Sequence, residues 1–108
     1  MNGDLEGIQM LFKLKDPPDV NAIDQNSNTA LHHACFHGQT DIITYLLNTH
    51  TNIHVEAKNI DGNTPLHKAA VGGHVQAAKI LVQYRANVLA QNKVYNIIYN
   101  VFFYMVHY

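Results

Sequence analysis

The sequence lacks the features that several classes of protein require. Its 108 residues include a single cysteine, Cys35, so an internal disulfide framework and a cysteine-based zinc site are both excluded. Charged residues make up only 14% of the chain and the formal net charge is −1, so no strong field attracts nucleic acid or an anionic membrane. The first residues contain neither the basic nor the apolar region of a secretory signal, and we expect none.

Two compositional features stand out against this background. Histidine is abundant, with eight residues against seven lysines and arginines together. The last stretch, residues 94–108, has no charged side chain, and Asn96 and Asn100 interrupt its aromatic and β-branched residues. This stretch is too short and too interrupted to cross a bilayer as a helix, so no membrane span is expected.

The chain matches itself at an offset of 35 residues. The run Asn28–Ala34 aligns with the run Asn63–Ala69, and Gly38 aligns with Gly73. The same offset relates Gly3 to Gly38. The chain therefore contains two full copies of one unit and a leading half copy.

Each full copy predicts a short first helix. Thr29 and Thr64 are suited to cap its N-terminus, and Pro65 suits the first helical position because its missing N–H is not needed there. Apolar residues then recur at spacings of three and four along one face. Gly38 and Gly73 are predicted to end the helix, since glycine tolerates a positive φ.

A second helix is predicted after each of these glycines. Its apolar columns recur in all three copies: Ile8, Ile43 and Ala78; Leu11, Leu46 and Leu81; Phe12, Leu47 and Val82. Turn-forming residues stand at 24–27 and 59–62. Each unit is thus a helix, a turn, a second helix and an extended loop.

The second copy closely resembles the ankyrin-repeat motif. Residues 61–70, followed by Gly73 and His74, match it in the form Thr-Pro-Leu-His, and residues 29–35 match it more loosely. The resemblance implies an all-α fold: a short ankyrin-repeat solenoid of stacked helix-turn-helix units with projecting hairpin-like loops. The expected organisation is an array over 1–93, with a half repeat at 3–22 and repeats at 23–57 and 58–93, and a divergent apolar tail at 94–108.

The chain departs from the family pattern in its period and at one turn. The copies are 35 residues apart instead of 33, and the extra residues fall in loops at 15–18 and near Val55. Ser27 replaces the turn glycine, which predicts a less ideal turn in the first full copy.

After residue 93 the motif ends, and Phe102 and Phe103 stand where it has two small alanines. The tail is consistent with a capping helix, an aggregation-prone strand or a foreign extension, and we favour a helix packed on the last repeat. The abrupt change of composition favours a foreign origin for it.

The histidines and the cysteine have mainly structural interpretations. The resemblance implies that His32 and His67 hydrogen-bond backbone near the turn and lock adjacent repeats. His33 and His37 are four residues apart, which suits a shared metal ion, but no third ligand accompanies them, so we expect solvated side chains and no metal or cofactor. Cys35 is expected to be a small buried hydrophobe, not a nucleophile.

The resemblance also implies where a partner binds. Ankyrin arrays present a concave face built from the projecting loops and the first helices. The expected partner-binding residues on that face are Ile23, Gln25, Asn26, Asn28, Phe36, His37, Lys58, Ile60, Asp61, Asn63 and Val71. At any single position, plain solvent exposure is the simpler interpretation.

The sequence therefore predicts a non-catalytic module that binds a protein or peptide inside the cell, in the cytoplasm or nucleus. Lys58 and Lys68 are too few for a phosphate-backbone footprint, so nucleic acid is not expected as a partner. The alternative is a regulatory or targeting fragment of a larger multidomain enzyme or lipid-handling protein. The apolar tail also offers a route to self-association.

Overall fold

The computed structural model describes residues 5–14 and 18–89. Within these ranges the chain forms five α-helices and no strand: α1 (Leu5–Phe12), α2 (Ala30–Phe36), α3 (Thr40–Thr49), α4 (Pro65–Val71) and α5 (Val75–Gln83). The predicted tail at 94–108 and most of the predicted insertion at 15–18 lie outside the described residues. None of the described helices has the length and apolar character needed to cross a membrane.

The two first helices, α2 and α4, begin at the predicted threonine caps. The Thr29 hydroxyl accepts the backbone N–H of His32 at 3.3 Å, and His32 Nδ1 accepts the backbone N–H of Thr29 at 3.1 Å. Thr64 and His67 form the same reciprocal pair at 3.3 Å and 3.0 Å. Each capping box satisfies two backbone donors that a helix start would otherwise leave unpaired.

Glycines with positive φ follow both first helices, as predicted. Gly38 has φ 65° and Gly73 has φ 74°, and each donates its backbone N–H into the last turn of the preceding helix. The finger loops, residues 23–29 and 58–64 and hereafter the fingers, precede these helices. Ser27 adopts φ 62° in the first finger, close to the 76° of Gly62 in the second, so the turn keeps its geometry despite the missing glycine.

The helices stack in two layers. α2 packs beside α4, α3 packs beside α5, and each first helix packs on the second helix of its own unit. The core between the layers is fully enclosed, with Leu31 and Leu66 each 1% exposed and Leu46 and Leu81 each 0% exposed. Alanines and Cys35 in the first helices let the layers approach closely.

The predicted apolar columns are mostly buried in α3 and α5, where Val82 alone is partly exposed, and only partly buried in α1, where Ile8 and Phe12 pack against the core. Leu11 of α1 is 46% exposed, whereas its repeat equivalents Leu46 and Leu81 are fully buried. Helix α1 packs against α3, where the Phe12 ring lies 4.5 Å from the His50 ring. No first helix stands against α1 among the described residues, and a periodic pattern alone cannot bury a side chain.

Candidate binding surface

A side-chain oxygen organises each finger from within. In the first finger, Asp24 Oδ1 accepts the backbone N–H groups of Asn26 and Asn28, both at 2.9 Å. Asn59 Oδ1 accepts the equivalent pair in the second finger, again at 2.9 Å. Local bonds of this kind hold a turn in one backbone conformation.

The two fingers are also bonded to each other. The backbone N–H of Ile60 donates to the carbonyl oxygen of Asn26 at 2.9 Å, and Asn59 Nδ2 donates to Asn28 Oδ1 at 2.9 Å. Asn59 itself is only 8% exposed. The fingers therefore form one connected layer in place of two independent loops.

A histidine joins the first finger to the exposed side of α2. His33 Nε2 donates to Asp24 Oδ2 at 2.7 Å, with both side chains partly exposed. This hydrogen bond, followed by the backbone N–H groups of Asn28 and Asn26, lowers the pKa of Asp24 to about 2. The contact places the finger and this face of α2 on the same side of the molecule.

Large apolar side chains lie farther along the first helices. Phe36 and Val71 occupy equivalent positions at the last residues of α2 and α4 and are 38% and 70% exposed. The Lys68 ammonium of α4 lies 4.6 Å from the centre of the Phe36 ring, and the His37 ring forms a T-shaped pair with the Phe36 ring, with 5.1 Å between the ring centres. Phe36 is thus held between neighbours while part of its ring faces solvent.

Most of the predicted partner-binding residues are exposed in the structure. The exposed ones are Ile23, Gln25, Asn26, Phe36, His37, Lys58, Ile60, Asp61 and Val71. Asn28 and Asn63 are half-buried and hold the fold together: Asn28 Oδ1 accepts from Asn59, and the Asn63 carbonyl accepts from His32 Nε2 at 2.8 Å.

Two residues on this face were missed by the sequence interpretation, His33 and Lys68. They occupy equivalent positions in α2 and α4, between the fingers and the terminal apolar residues. We predicted that His33 is a solvated side chain, but its Nε2 also donates a hydrogen bond to Asp24. The available signal was the spacing of three residues that separates His33 from Phe36 and Lys68 from Val71, since residues three apart lie on the same side of a helix. The nine exposed residues with His33 and Lys68 are hereafter the finger–helix surface.

The structure confirms the structural role expected for the motif histidine of the first copy. His32 is 0% exposed, and its Nε2 donates across the repeat boundary to the carbonyl of Asn63 at 2.8 Å. Since Nδ1 accepts the Thr29 N–H, the neutral Nε2–H tautomer satisfies both bonds. His67 makes the same bonds to its own threonine cap.

The other residues considered as a nucleophile or as metal ligands lie in surroundings that favour structural roles. Cys35 is 0% exposed, and burial raises the pKa of its thiol far above the ordinary value, which disfavours the nucleophilic thiolate. His33 is bonded to a single carboxylate, and the His37 ring lies against Phe36. Among residues 5–14 and 18–89, no cluster of three or more candidate metal ligands occurs.

The stacked units, capped helices and bonded fingers agree with a family comparison. A family model described as "Ankyrin repeats (3 copies)" matches residues 1–92. The chain belongs to the ankyrin-repeat family. Ankyrin repeats are non-catalytic modules that generally mediate protein–protein interaction.

Similar curated proteins are much longer than this ankyrin-repeat chain. BCL-6 corepressor-like protein 1 of Homo sapiens is 40% identical over 73 residues, which cover 68% of this chain and 4% of that protein. SMC5-SMC6 complex localization factor protein 1 of Homo sapiens is 33% identical over 93 residues, covering 86% and 9%. A poly(ADP-ribose) polymerase tankyrase of Caenorhabditis elegans is 36% identical over 81 residues, covering 75% and 4%. The chain thus spans less than a tenth of each of these relatives.

Proposed function

We propose that this ankyrin-repeat chain binds a protein or peptide on its finger–helix surface, without catalysing a reaction. The observation that carries the proposal is the exposure of four large apolar side chains there. Ile23 is 62% exposed, Ile60 52%, Val71 70% and Phe36 38%. Exposed apolar side chains grouped on one face are typical of interaction sites.

The rigidity of the surface supports the same proposal. Internal hydrogen bonds fix each finger, and the Ile60 to Asn26 bond fixes one finger against the other. A partner that meets a preformed backbone does not have to compensate for ordering it, so more of the contact energy remains for affinity. Polar residues of the fingers such as Gln25 and Asp61 are exposed as well, and exposed polar residues are typical of the rims of protein interfaces.

The charges of the surface favour protein over nucleic acid. Lys58 and Lys68 are accompanied by Asp61 and by Asp24, whose carboxylate already bonds His33. A mixture of both signs does not produce the basic stripe that follows a phosphate backbone. We infer that partner choice depends on shape and on the apolar side chains.

The double variant Phe36→Ala/Ile60→Ala tests this function. Both side chains are exposed, so we expect folding to survive while captured partners are lost. The matched control is Thr44→Ala/Lys79→Ala, which truncates two exposed residues at equivalent positions of α3 and α5. The measurement is affinity capture from cell extract with quantitative mass spectrometry, using the intact chain and both variants.

The pattern across these three proteins decides the outcome. Proteins retained by the wild type and the control but lost from the double variant support the finger–helix surface. If every captured protein survives the double change while circular dichroism shows equal folding, the proposed face is wrong.

A second candidate function is that of a targeting or regulatory segment of a larger protein inside the cell. The observation in its favour is the small share of each relative that the chain covers, including 4% of the tankyrase, an enzyme. A transcript that continues the reading frame into a further domain would support this candidate. A transcript that encodes only these residues would remove it.

A further inference from the structure

Lys68 is a cation without a carboxylate partner in the described part of the chain. Its ammonium lies 4.6 Å from the centre of the Phe36 ring, and its side chain is half-buried. Among the residues that the structure describes, no carboxylate lies within ion-pair distance of this ammonium. An ammonium has three N–H donors, so contact with one ring leaves it able to donate to a further group.

The first full repeat shows what this position accepts. His33 of α2 is the repeat equivalent of Lys68, and its Nε2 lies 2.7 Å from Asp24 Oδ2. In the second repeat Asn59 takes the place of Asp24, and this neutral side chain is only 8% exposed, with its Oδ1 bonded to backbone N–H groups. The second repeat therefore keeps the nitrogen donor and lacks the carboxylate that faces it in the first.

A buried neighbour registers the charge of Lys68. Burial chiefly lowers the pKa of His32, and the charge of Lys68 lowers it further. A cation that acts on a group in the core is only partly screened by solvent. A carboxylate beside Lys68 therefore gains more from the contact than one beside a fully exposed lysine.

Exposed apolar side chains lie on both sides of Lys68. The second finger precedes α4 and carries Ile60, whereas Phe36 and Val71 stand at the far ends of the first helices. A segment that covers both apolar groups passes over the ammonium between them. Its carboxylate then belongs to an internal aspartate or glutamate, because a chain that ended over Lys68 would not reach the second apolar group.

We propose that the finger–helix surface binds a segment with an acidic residue between two apolar ones, and that the acidic side chain pairs with Lys68. The inference rests on the proposed function and adds a charge requirement to it. One apolar residue packs on Ile60, and the other packs on Phe36 and Val71. The carboxylate accepts N–H groups of Lys68 on the side that the Phe36 ring leaves open, where the apolar neighbours exclude water and strengthen the pair.

A displayed library of random peptides tests this preference. Peptides of about 16 residues are long enough to cross both repeats in an extended form. The library is selected in parallel on the intact chain and on its Lys68→Met variant, since methionine keeps the helix propensity of lysine and removes the charge. We expect aspartate or glutamate flanked by apolar residues to be enriched at least about threefold on the wild type and not on Lys68→Met.

The affinity of one peptide selected on the wild type then isolates the contact. Fluorescence anisotropy compares the wild type with Lys68→Met and with the control Lys79→Met, which removes an exposed lysine of α5 in the other helix layer. Lys68→Met is expected to weaken binding by at least about fivefold, and Lys79→Met by less than about twofold. Changing the acidic residue of the peptide to its amide should weaken binding to the wild type and have little effect on binding to Lys68→Met, as expected for a direct pair.

Two results would overturn the inference and leave the proposed function intact. One is a set of selected peptides that fails to bind Phe36→Ala/Ile60→Ala but shows no enrichment of acidic residues. The other is equal affinity for the wild type and Lys68→Met, with equal folding by circular dichroism. Selected peptides that bind Phe36→Ala/Ile60→Ala as tightly as the wild type, or a library from which the intact chain retains nothing, would instead count against the proposed function and the inference together.

Discussion

At the scale of single residues, Ser27 has a strained backbone conformation in the first finger. Its φ of 62° lies in the left-handed region that favours glycine, and Gly62 occupies the same place in the second finger. We predict that Ser27→Gly raises the free energy of unfolding by about 0.5–1 kcal/mol, because a non-glycine residue is strained there. Urea denaturation measures the difference.

The reverse change in the second finger is the control for Ser27. Gly62→Ser should lower the free energy of unfolding by about 1 kcal/mol, since it introduces the strain that Ser27 carries. A Ser27→Gly variant that is less stable than the wild type would show that the serine side chain contributes more than its backbone strain removes.

His32 should make the array less stable in mild acid. Burial lowers the pKa of His32 below its ordinary 6.5, and protonated Nδ1 could no longer accept the Thr29 N–H. The unfolded chain therefore binds this proton more readily than the folded one. Stability is full above about pH 6.5 and falls as the pH drops from there toward the folded pKa of His32.

The variant His32→Gln isolates this effect on stability. It is expected to be less stable at pH 8 by about 2–3 kcal/mol, because buried bonds are disturbed, and to lose most of the pH dependence of stability just below about pH 6.5. Asp24 contributes to stability in a separate pH range. Because its pKa is lowered from the ordinary 3.8 to about 2, its contribution is present above about pH 3.8 and is lost as the pH falls to about 2. An unchanged dependence of stability on pH just below 6.5 in His32→Gln would assign the dependence to another histidine.

At the scale of elements, the sequence predicts features that depend on residues close together in the chain, but not those that depend on packing between elements. Thr29 and Thr64 identify the helix starts because capping uses atoms three residues away. Burial of Leu11 is not local, since it needs a helix packed against α1. The hydrogen bond between His33 and Asp24 joins residues nine positions apart, one on α2 and one on the finger. Helical periodicity therefore does not predict it.

The ends of α2 and α4 approach so closely that space, not backbone conformation, limits the residue at position 72. A Cβ added at Gly72 would lie 2.5 Å from the carbonyl oxygen of Phe36, whereas one at Gly73 meets nothing within 4 Å. We predict that Gly72→Ala lowers the free energy of unfolding by about 2–3 kcal/mol through this overlap. Thermal unfolding of the purified variant measures it.

Gly73→Ala is the matched control for that overlap. Gly73 has φ 74°, so alanine there is strained by about 1–2 kcal/mol with no steric conflict. Dihedral angles alone would rank Gly73→Ala as the more damaging change, since Gly72 has an ordinary φ of −74°. A smaller loss for Gly72→Ala than for Gly73→Ala would mean that α2 and α4 separate at little cost.

At the scale of the whole molecule, one thiol reports whether the stacked units open together. Cys35 is the only cysteine of the chain, is 0% exposed and lies in the core shared by α2 and α3. A solenoid of few units has little stability in any single unit, so its cohesion depends on the contacts between neighbours.

We predict that iodoacetamide modifies native Cys35 roughly 10³-fold or more slowly than the urea-unfolded chain, as expected when alkylation requires global unfolding. Mass spectrometry follows the rate, and the opening free energy that it yields should equal the value from urea denaturation within about 1 kcal/mol, since both then measure one transition. A native rate within about tenfold of the unfolded rate, alongside a stable urea transition, would instead show that the first full repeat opens while the rest remains folded.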